Sequence, residues 1–232
     1  NTLLAFEDAV ARFNEESEKL VFLAFLSDNL TTRTEAFACR DLKLSKMIDI
    51  YSQKQIYQGL KRLKPFAKID KRLIQIHLNK FKAGGADLDE SKSAALNSLQ
   101  NEIIKKSSEY LQNLFHDETV ITLSKTDLEG VPESVANGLI SDDEGNRFLL
   151  AIDFDTVGKL IKTMKNGETR KKLLSASQSV APKNILVLKD IANLRNEVAT
   201  LLGFKNYAEM RLNDQMVGNP EDVHRFLSDL QN

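Results

Sequence analysis

A chain of 232 residues can bury a substantial apolar core, as one large domain or as two small ones. Apolar residues make up 42% of the sequence and charged residues 28%, which excludes disorder as its dominant state. The 32 Lys and Arg nearly cancel the 33 Asp and Glu, so no net field attracts nucleic acid or anionic lipid. Since no apolar run reaches the roughly 18 residues of a membrane span, we expect neither nucleic acid nor a membrane as a partner.

The first predicted helices follow from apolar residues that recur every three or four positions. The first helix carries such a stripe at Leu3, Phe6, Val10 and Phe13. The apolar run 20–26 is expected to be a packed segment of a helix. Thr32 and Glu35 have the spacing of a capping box, which predicts the start of a second helix that runs toward Tyr51.

Two further helices are predicted before the middle of the chain. One runs from about residue 66 to 81 and ends at the glycine pair 84–85, because glycine tolerates the left-handed conformation of a helix cap. The other spans 89–115 and is the longest in the chain, with Glu102 and Lys106 as an i,i+4 pair. Its apolar stripe consists of Leu96, Leu99, Ile103, Tyr110, Leu114 and Phe115.

The pattern changes after residue 118. Residues 119–123 form a short stretch rich in β-branched side chains, which favours a strand. Residues 147–153, which follow the polar turn 141–146, are the strongest strand prediction in the chain. Residues 128–133 look like two short helices that meet, with Pro132 at the start of the second. The predicted fold is therefore mainly α, with one or two short strands around 119–123 and 147–153.

Helices are predicted again from residue 155 onward. The segment 184–202 is the cleanest amphipathic stretch, with Asn184 as its cap and Gly203 at its end. Its apolar side carries Leu188, Ile191, Leu194, Val198 and Leu201. Residues 219–222 (Asn-Pro-Glu-Asp) start a last helix with a capping side chain, a first-turn proline and two acids. That helix has few turns before Asn232, so we expect the natural chain to continue.

The whole of 1–232 is predicted to be a single helical N-terminal region. A subdivision at residue 118 is expected, with a bundle of long helices in 1–118 and short strands and helices in 119–232. The chain opens on Asn1 rather than on Met, which indicates that its start has been removed or lies upstream. It shows no basic-then-apolar signal pattern.

No set of residues in the sequence has the spacing of a catalytic or metal site. His77, His116 and His224 are isolated, without the His-Glu-x-x-His spacing that places two imidazoles and a carboxylate on one metal. His77 is predicted to be structural, and Cys39 to be a buried structural thiol. No serine nucleophile elbow or glycine-rich phosphate loop is present, and the basic stretch 57–66 is interpreted as an ordinary amphipathic turn. We therefore assign no catalytic, cofactor-binding or metal-binding residue.

One segment resembles a known protein family. Residues 194–209, LRNEVATLLGFKNYAE, are similar to the LR-x-E-x-A-x-LLG-[YF]-x-NYAE segment of zinc oligopeptidases of the thimet oligopeptidase and oligopeptidase A type. Residue 84 is glycine where the family usually has alanine. Further blocks follow in the family's order at 1–5 (NTLLA), 81–88 (FKAGGADL), 128–133 (LEGVPE), 170–176 (RKKLLSA) and 220–230 (PEDVHRFLSDL).

This resemblance implies that the full-length protein is a zinc metallopeptidase, a hydrolase of short peptides. In the family, the two halves of a helical clamshell enclose a deep channel. The zinc-binding His-Glu-x-x-His and a third, glutamate ligand lie far downstream of the matched region. None of the family's metal ligands or catalytic residues can therefore be carried over to a position here. The chain would form much of one channel wall, with the missing C-terminal catalytic half as its partner, and would be inactive alone.

Two other interpretations remain open on the residues alone. The chain could be a free-standing helical module that binds peptides or a partner helix, or one half of a split peptidase. In either case zinc would belong to another polypeptide. The balanced charge and the single cysteine fit the cytoplasm, with a mitochondrial location as the alternative. An isolated wall is also expected to expose apolar surface, to self-associate and to bind a hydrophobic dye.

Overall fold

A computed structural model describes residues 2–64, 67–152 and 154–231. Within these residues the chain forms eleven helices and three short strands, which confirms the prediction of a mainly α fold. The elements are α1 (Thr2–Leu26), α2 (Leu30–Tyr51), α3 (Lys54–Lys61), α4 (Lys68–Ala83), α5 (Glu90–Phe115), β1 (Val120–Ser124), α6 (Glu133–Ala136), β2 (Ile140–Ser141), β3 (Arg147–Ala151), α7 (Phe154–Thr163), α8 (Gly167–Ser177), α9 (Asn184–Leu201), α10 (Tyr207–Leu212) and α11 (Pro220–Gln231).

The chain divides into two compact units. The first unit combines Asn1–Ser108 with Val187–Asn232, and the second is Glu109–Leu186. Each unit has residues of its own in a hydrophobic core. The expected subdivision at residue 118 stays a prediction.

The core of the first unit is built around aromatic rings. The buried side chains of Tyr57, Leu60, Phe81 and Ala86 form its centre. Phe81 lies with its ring centroid 5.1 Å from that of Tyr51 and 5.8 Å from that of Phe6. Tyr57 and Leu60 come from α3, a helix that the sequence did not separate from the basic stretch around it. Ring contacts of this kind join helices that are distant in sequence.

Helix α1 packs mainly against α2 and buries less of its apolar run than predicted. In the run 20–26 the buried side chains are those of Val21 and Ala24, one turn apart. Leu20, Phe22, Leu23, Phe25 and Leu26 are exposed by 41–60%. The segment is helical, as predicted, but it is packed only in part, because a helix that contacts a partner on one side buries one stripe of a continuous apolar run.

Two helix starts differ from their predictions. Helix α2 starts after Asn29, whose Oδ1 accepts a hydrogen bond from the Thr32 N–H at 2.9 Å, so the cap lies three residues before the one predicted. The predicted third helix is α4, and the residue at its expected start, Phe66, lies outside the described residues. Asn184 does not cap α9 but is its first, buried residue, and it joins α9 to the Tyr110 carbonyl at 3.0 Å.

The second unit contains an antiparallel sheet in the order β1-β3-β2. Leu123 pairs with Phe148 and Ile140 pairs with Leu149. Both strands predicted from the sequence are confirmed, although residue 153 lies outside the described part of the chain. Under the sheet, α7 and α8 complete a core that consists of Ile121, Leu123, Leu128, Leu150, Val157, Leu160, Met164 and Leu173.

The segment 128–133 differs from its prediction. Only the second of the two expected helices forms, as α6 after Pro132, whereas residues 125–130 are turns. In α9 the predicted stripe is also shifted, since Val187 and Ile191 are buried while Leu188 is half exposed. The start of α11 agrees with the sequence, because Asn219 Oδ1 accepts a hydrogen bond from the Asp222 N–H at 2.8 Å.

Candidate functional site

The described side chains that could bind a metal or act in catalysis do not cluster at one place. Among the described residues, no three His, Cys, Asp or Glu side chains gather in a way that could hold a metal ion. His116 follows the end of α5, and His224 lies in α11. Cys39 is exposed on α2, so the prediction of a buried thiol was wrong. Cys39 is exposed although Ala36 and Phe37 of the same helix are buried.

His77 is the histidine that the fold buries completely, as predicted for a structural residue. Its ring packs edge-on against Phe6, with the centroids 5.6 Å apart. The Nε2 atom faces the Glu7 carboxylate, but neither ring nitrogen makes a hydrogen bond of regular geometry within the described structure. Burial, and secondarily the Glu7 carboxylate, raises the pKa of the neighbouring Tyr51 phenol above its ordinary value. This cluster joins α1, α2 and α4.

An open apolar groove of about 530 Å³ crosses the first unit. Four elements line it: α2, the end of α4, α5 and α10. Its apolar walls come from Leu44, Met47, Ile48, Ile103 and Ile104, and its remaining lining residues are Tyr51, Lys80, Ala83, Gly84, Gln100 and Arg211. Two cations and no carboxylate occur among these lining residues. We call this cavity the α2–α5 groove.

Lys80 has a contact of its own in the α2–α5 groove, whereas the contacts near Arg211 are made by residues on either side of it. The Nζ atom of Lys80 lies 5.8 Å from the centroid of the Tyr51 ring, a cation–π distance. Arg211 lies on the short helix α10. The segment after α10 is tied to α4 by a hydrogen bond of 2.8 Å from Asn79 Nδ2 to Asp214 Oδ1. Arg195 of α9 packs over the Tyr207 ring at 5.3 Å and so holds the start of α10.

The block 81–88 has a structural reason for its two glycines. Gly84 ends α4 next to the end of α2, so closely that an added Cβ would lie 2.5 Å from the Tyr51 carbonyl oxygen. Gly85 has a φ of +81°, and a Cβ there would lie 2.7 Å from the Leu96 side chain. The Ala86 N–H then donates to the Phe81 carbonyl at 2.9 Å. The block therefore closes α4 and brings it against α2 and α5.

The block 128–133 has a comparable role in the second unit. Gly130 has a φ of +88°, and a Cβ there would lie 2.6 Å from the Thr163 carbonyl oxygen. Just before it, Asp127 accepts hydrogen bonds from the Ser124 hydroxyl at 2.7 Å and from the Thr169 hydroxyl at 2.5 Å. These hydroxyls, together with the Ser124 N–H, lower the pKa of the Asp127 carboxyl. The block thus joins β1 to α7 and α8.

Sequence reasoning assigned no site residue and therefore missed the α2–α5 groove. Lys80 and Arg211 stand 131 positions apart in sequence and belong to helices whose packing no local pattern indicates. The sequence did contain part of the information, because Leu44, Met47 and Ile48 have the spacing of an apolar stripe on a helix, here α2. No described helix is both long and apolar enough to cross a membrane.

The fold is that of a mainly helical chain in which the blocks 81–88 and 128–133 depend on glycine for close packing. Residues 160–232 match the model of Peptidase family M3. This match and the named relatives support the M3 family over part of its length, in agreement with the resemblance that the motifs indicate.

Named relatives extend the match over nearly the whole chain. Saccharolysin of Saccharomyces cerevisiae is 32% identical over 152 residues, which are 63% of this chain and 21% of that protein. The mitochondrial intermediate peptidase of Yarrowia lipolytica is 31% identical over 66% of this chain and 19% of its own. The thimet-like oligopeptidase of Dictyostelium discoideum is 26% identical over 97% of this chain and 35% of its own. The chain thus spans between about a fifth and a third of these relatives.

Proposed function

We propose that this chain is the N-terminal, channel-wall region of a zinc-dependent oligopeptidase that hydrolyses short peptides. In this role it restricts which substrates reach the catalytic centre, while the catalytic His-Glu-x-x-His belongs to a part of the enzyme outside these 232 residues. The observation that carries the proposal is the partial-length match, in which 97% of this chain corresponds to 35% of an oligopeptidase.

The helical architecture supports a wall rather than a centre of catalysis. The recognisable family blocks 81–88 and 128–133 hold glycines where helices approach closely, and so they build the scaffold. A rigid helical wall excludes folded proteins by size, whereas a flexible peptide can pass it. The substrate class that follows is short, unfolded peptides, and the compartment is the cytoplasm or, as in the relative from Yarrowia, the mitochondrion.

The zinc expected in the full-length enzyme is not assigned to this chain. Zinc sites need three or four side chains of His, Cys, Asp or Glu within bonding distance of one point. The described residues offer no such group. We therefore derive no catalytic step from them, and we expect the 232-residue chain alone to show no peptidase activity.

The first experiment is to read the source gene downstream of the codon for Asn232. A frame that continues for several hundred codons and encodes His-Glu-x-x-His supports the proposal. A stop within a few codons overturns peptidase catalysis by this polypeptide. A second polypeptide with the zinc motif that co-purifies with the chain would then identify a split enzyme, and its absence would leave a free-standing binding module.

The channel-wall role is tested on the longer enzyme with a short peptide that carries a photoreactive phenylalanine. We expect crosslinks within residues 1–232 as well as in the catalytic part, and we expect excess unlabelled peptide to abolish both. A small folded protein with the same photoreactive group is the control and should label neither. Labels confined to residues beyond 232 would contradict a wall formed by this chain.

A further inference from the structure

We propose that the α2–α5 groove binds the C-terminal end of a peptide. An apolar last residue occupies the groove, and the free carboxylate pairs with Lys80 and Arg211. This proposal goes beyond the channel-wall role, because it assigns a peptide-binding site to this chain itself.

The shape and lining of the groove fit a small apolar group. Its volume of about 530 Å³ lies within the range of small-ligand sites. The side chains of Leu44, Ile48 and Ile104 are half-buried, so they present apolar surface that a ligand can cover. Burial of one Leu or Phe side chain there removes apolar area from water, which supplies the driving force for binding.

The positive charges of the groove lining favour a ligand that carries an acidic group. Lys80 and Arg211 line it, and neither is in an ion pair with a carboxylate among the described contacts. Two cations beside an apolar surface match a ligand that joins an apolar group to one carboxylate. Arginine in particular binds a carboxylate with two parallel N–H donors.

The Gln100 amide favours a peptide over a fatty acid as the source of that carboxylate. Its Nε2 donates to the Ala83 carbonyl at 3.2 Å, and its Oε1 has no hydrogen-bond partner in the described structure. Gln100 is a lining residue of the groove, and a peptide N–H is the kind of donor that its Oε1 atom lacks. The hydrocarbon chain of a fatty acid has no such donor.

The experiment measures fluorescence anisotropy of the 232-residue chain with a labelled hexapeptide that ends in leucine with a free carboxylate. The same peptide with a C-terminal amide is compared with it. We expect the acid to bind about ten-fold more tightly than the amide. Lys80→Ala and Arg211→Ala should each weaken binding of the acid about two- to five-fold, as exposed ion pairs do, and should leave the amide unchanged.

Lys105→Ala is the matched control, because Lys105 is an exposed lysine on α5 outside the groove lining. Met47→Gln tests the apolar wall and should weaken both peptides, with far-ultraviolet circular dichroism as the check on folding. Equal binding of acid and amide would overturn the carboxylate pairing. Binding of laurate in isothermal titration calorimetry, without any binding of the peptide, would overturn the proposal and assign the groove to fatty acids. The reading frame decides the proposed function independently of all these outcomes.

Discussion

The carbonyl oxygen of Tyr51 lies 2.5 Å from the position that a Cβ atom of residue 84 would occupy. A methyl group there would collide with backbone rather than with a flexible side chain. The ends of α2 and α4 can therefore meet as they do only with glycine at this position.

We expect Gly84→Ala to destabilise the chain by about 1–3 kcal/mol, because the two helix ends must separate to admit the methyl group. Urea unfolding followed by circular dichroism measures this change. Gly59→Ala is the matched control, since a Cβ at Gly59 meets nothing within 4 Å and alanine is the better helix former by roughly 0.5–1 kcal/mol. Equal effects from the two substitutions would contradict the close approach.

Truncation of the buried histidine should be costly. His77→Ala leaves a cavity beside Phe6 and leaves the Glu7 carboxylate without its contact. We expect a loss of about 2–4 kcal/mol in the free energy of unfolding. His116→Ala, at an exposed position after α5, should change stability by less than about 0.5 kcal/mol. A small effect at His77 would show that the ring is not packed as described.

The carboxylate of Asp127 should stabilise the second unit through the hydroxyls that donate to it. In Asp127→Asn, an amide N–H₂ group replaces one oxygen that accepts hydrogen bonds, so one donor loses its partner. The expected cost is about 1–3 kcal/mol. Asp143→Asn, in the exposed turn between β2 and β3, is the control and should be neutral. Thermal unfolding of both variants at pH 7 compares them.

The same carboxylate gives stability a dependence on pH. Hydrogen bonds from Ser124 and Thr169 lower the pKa of Asp127 in the folded chain, and hydrogen bonds from Thr119 and Ala181 lower that of Asp117. A lowered folded pKa stabilises the fold above the unfolded value of about 3.9, and this contribution is lost as pH falls through the folded pKa. The urea concentration at the midpoint of unfolding, measured between pH 6 and pH 2, should decrease toward the acid end of this range.

The Asp127→Asn variant serves as the check on this pH dependence. It should show a shallower fall than the unchanged chain below pH 4, because the group that titrates has been removed. Parallel profiles for the two proteins would assign the acid sensitivity to other carboxyls. Asp117→Asn should reduce the slope separately, and the two effects should add since the side chains have different hydrogen-bond partners.

The exposed apolar stripe of α11 should make the chain self-associate. Phe226, Leu227 and Leu230 are exposed by 54–69% and lie on one face of the helix. We expect binding of a hydrophobic dye and a rise of apparent mass with concentration in sedimentation. Phe226→Ser with Leu230→Ser should reduce both, whereas Asp229→Ser on the same helix should not. A monomer that binds no dye would count against this surface.

Local patterns in the sequence predicted helices and strands far better than they predicted the contacts between them. The helix 89–115 and the strand around 147–153 were predicted because a period of 3.6 or 2 is visible in any sequence window. Helix α3 was missed because eight residues hold too few turns to establish a period. The prediction for Cys39 failed because residues that share a helix can lie on different faces, and the sequence does not state which face another element will cover.

The sequence by itself determined the helical class and the short sheet and carried the resemblance to the family, since periodicity, caps and motif residues are local properties of the chain. Tertiary structure alone decided that Lys80 and Arg211 line the same groove and that Gly84 lies against Tyr51. The physical reason is that helix packing is set by the fit of side chains from several distant segments. Such a fit is a property of the assembled fold, and no single segment contains it.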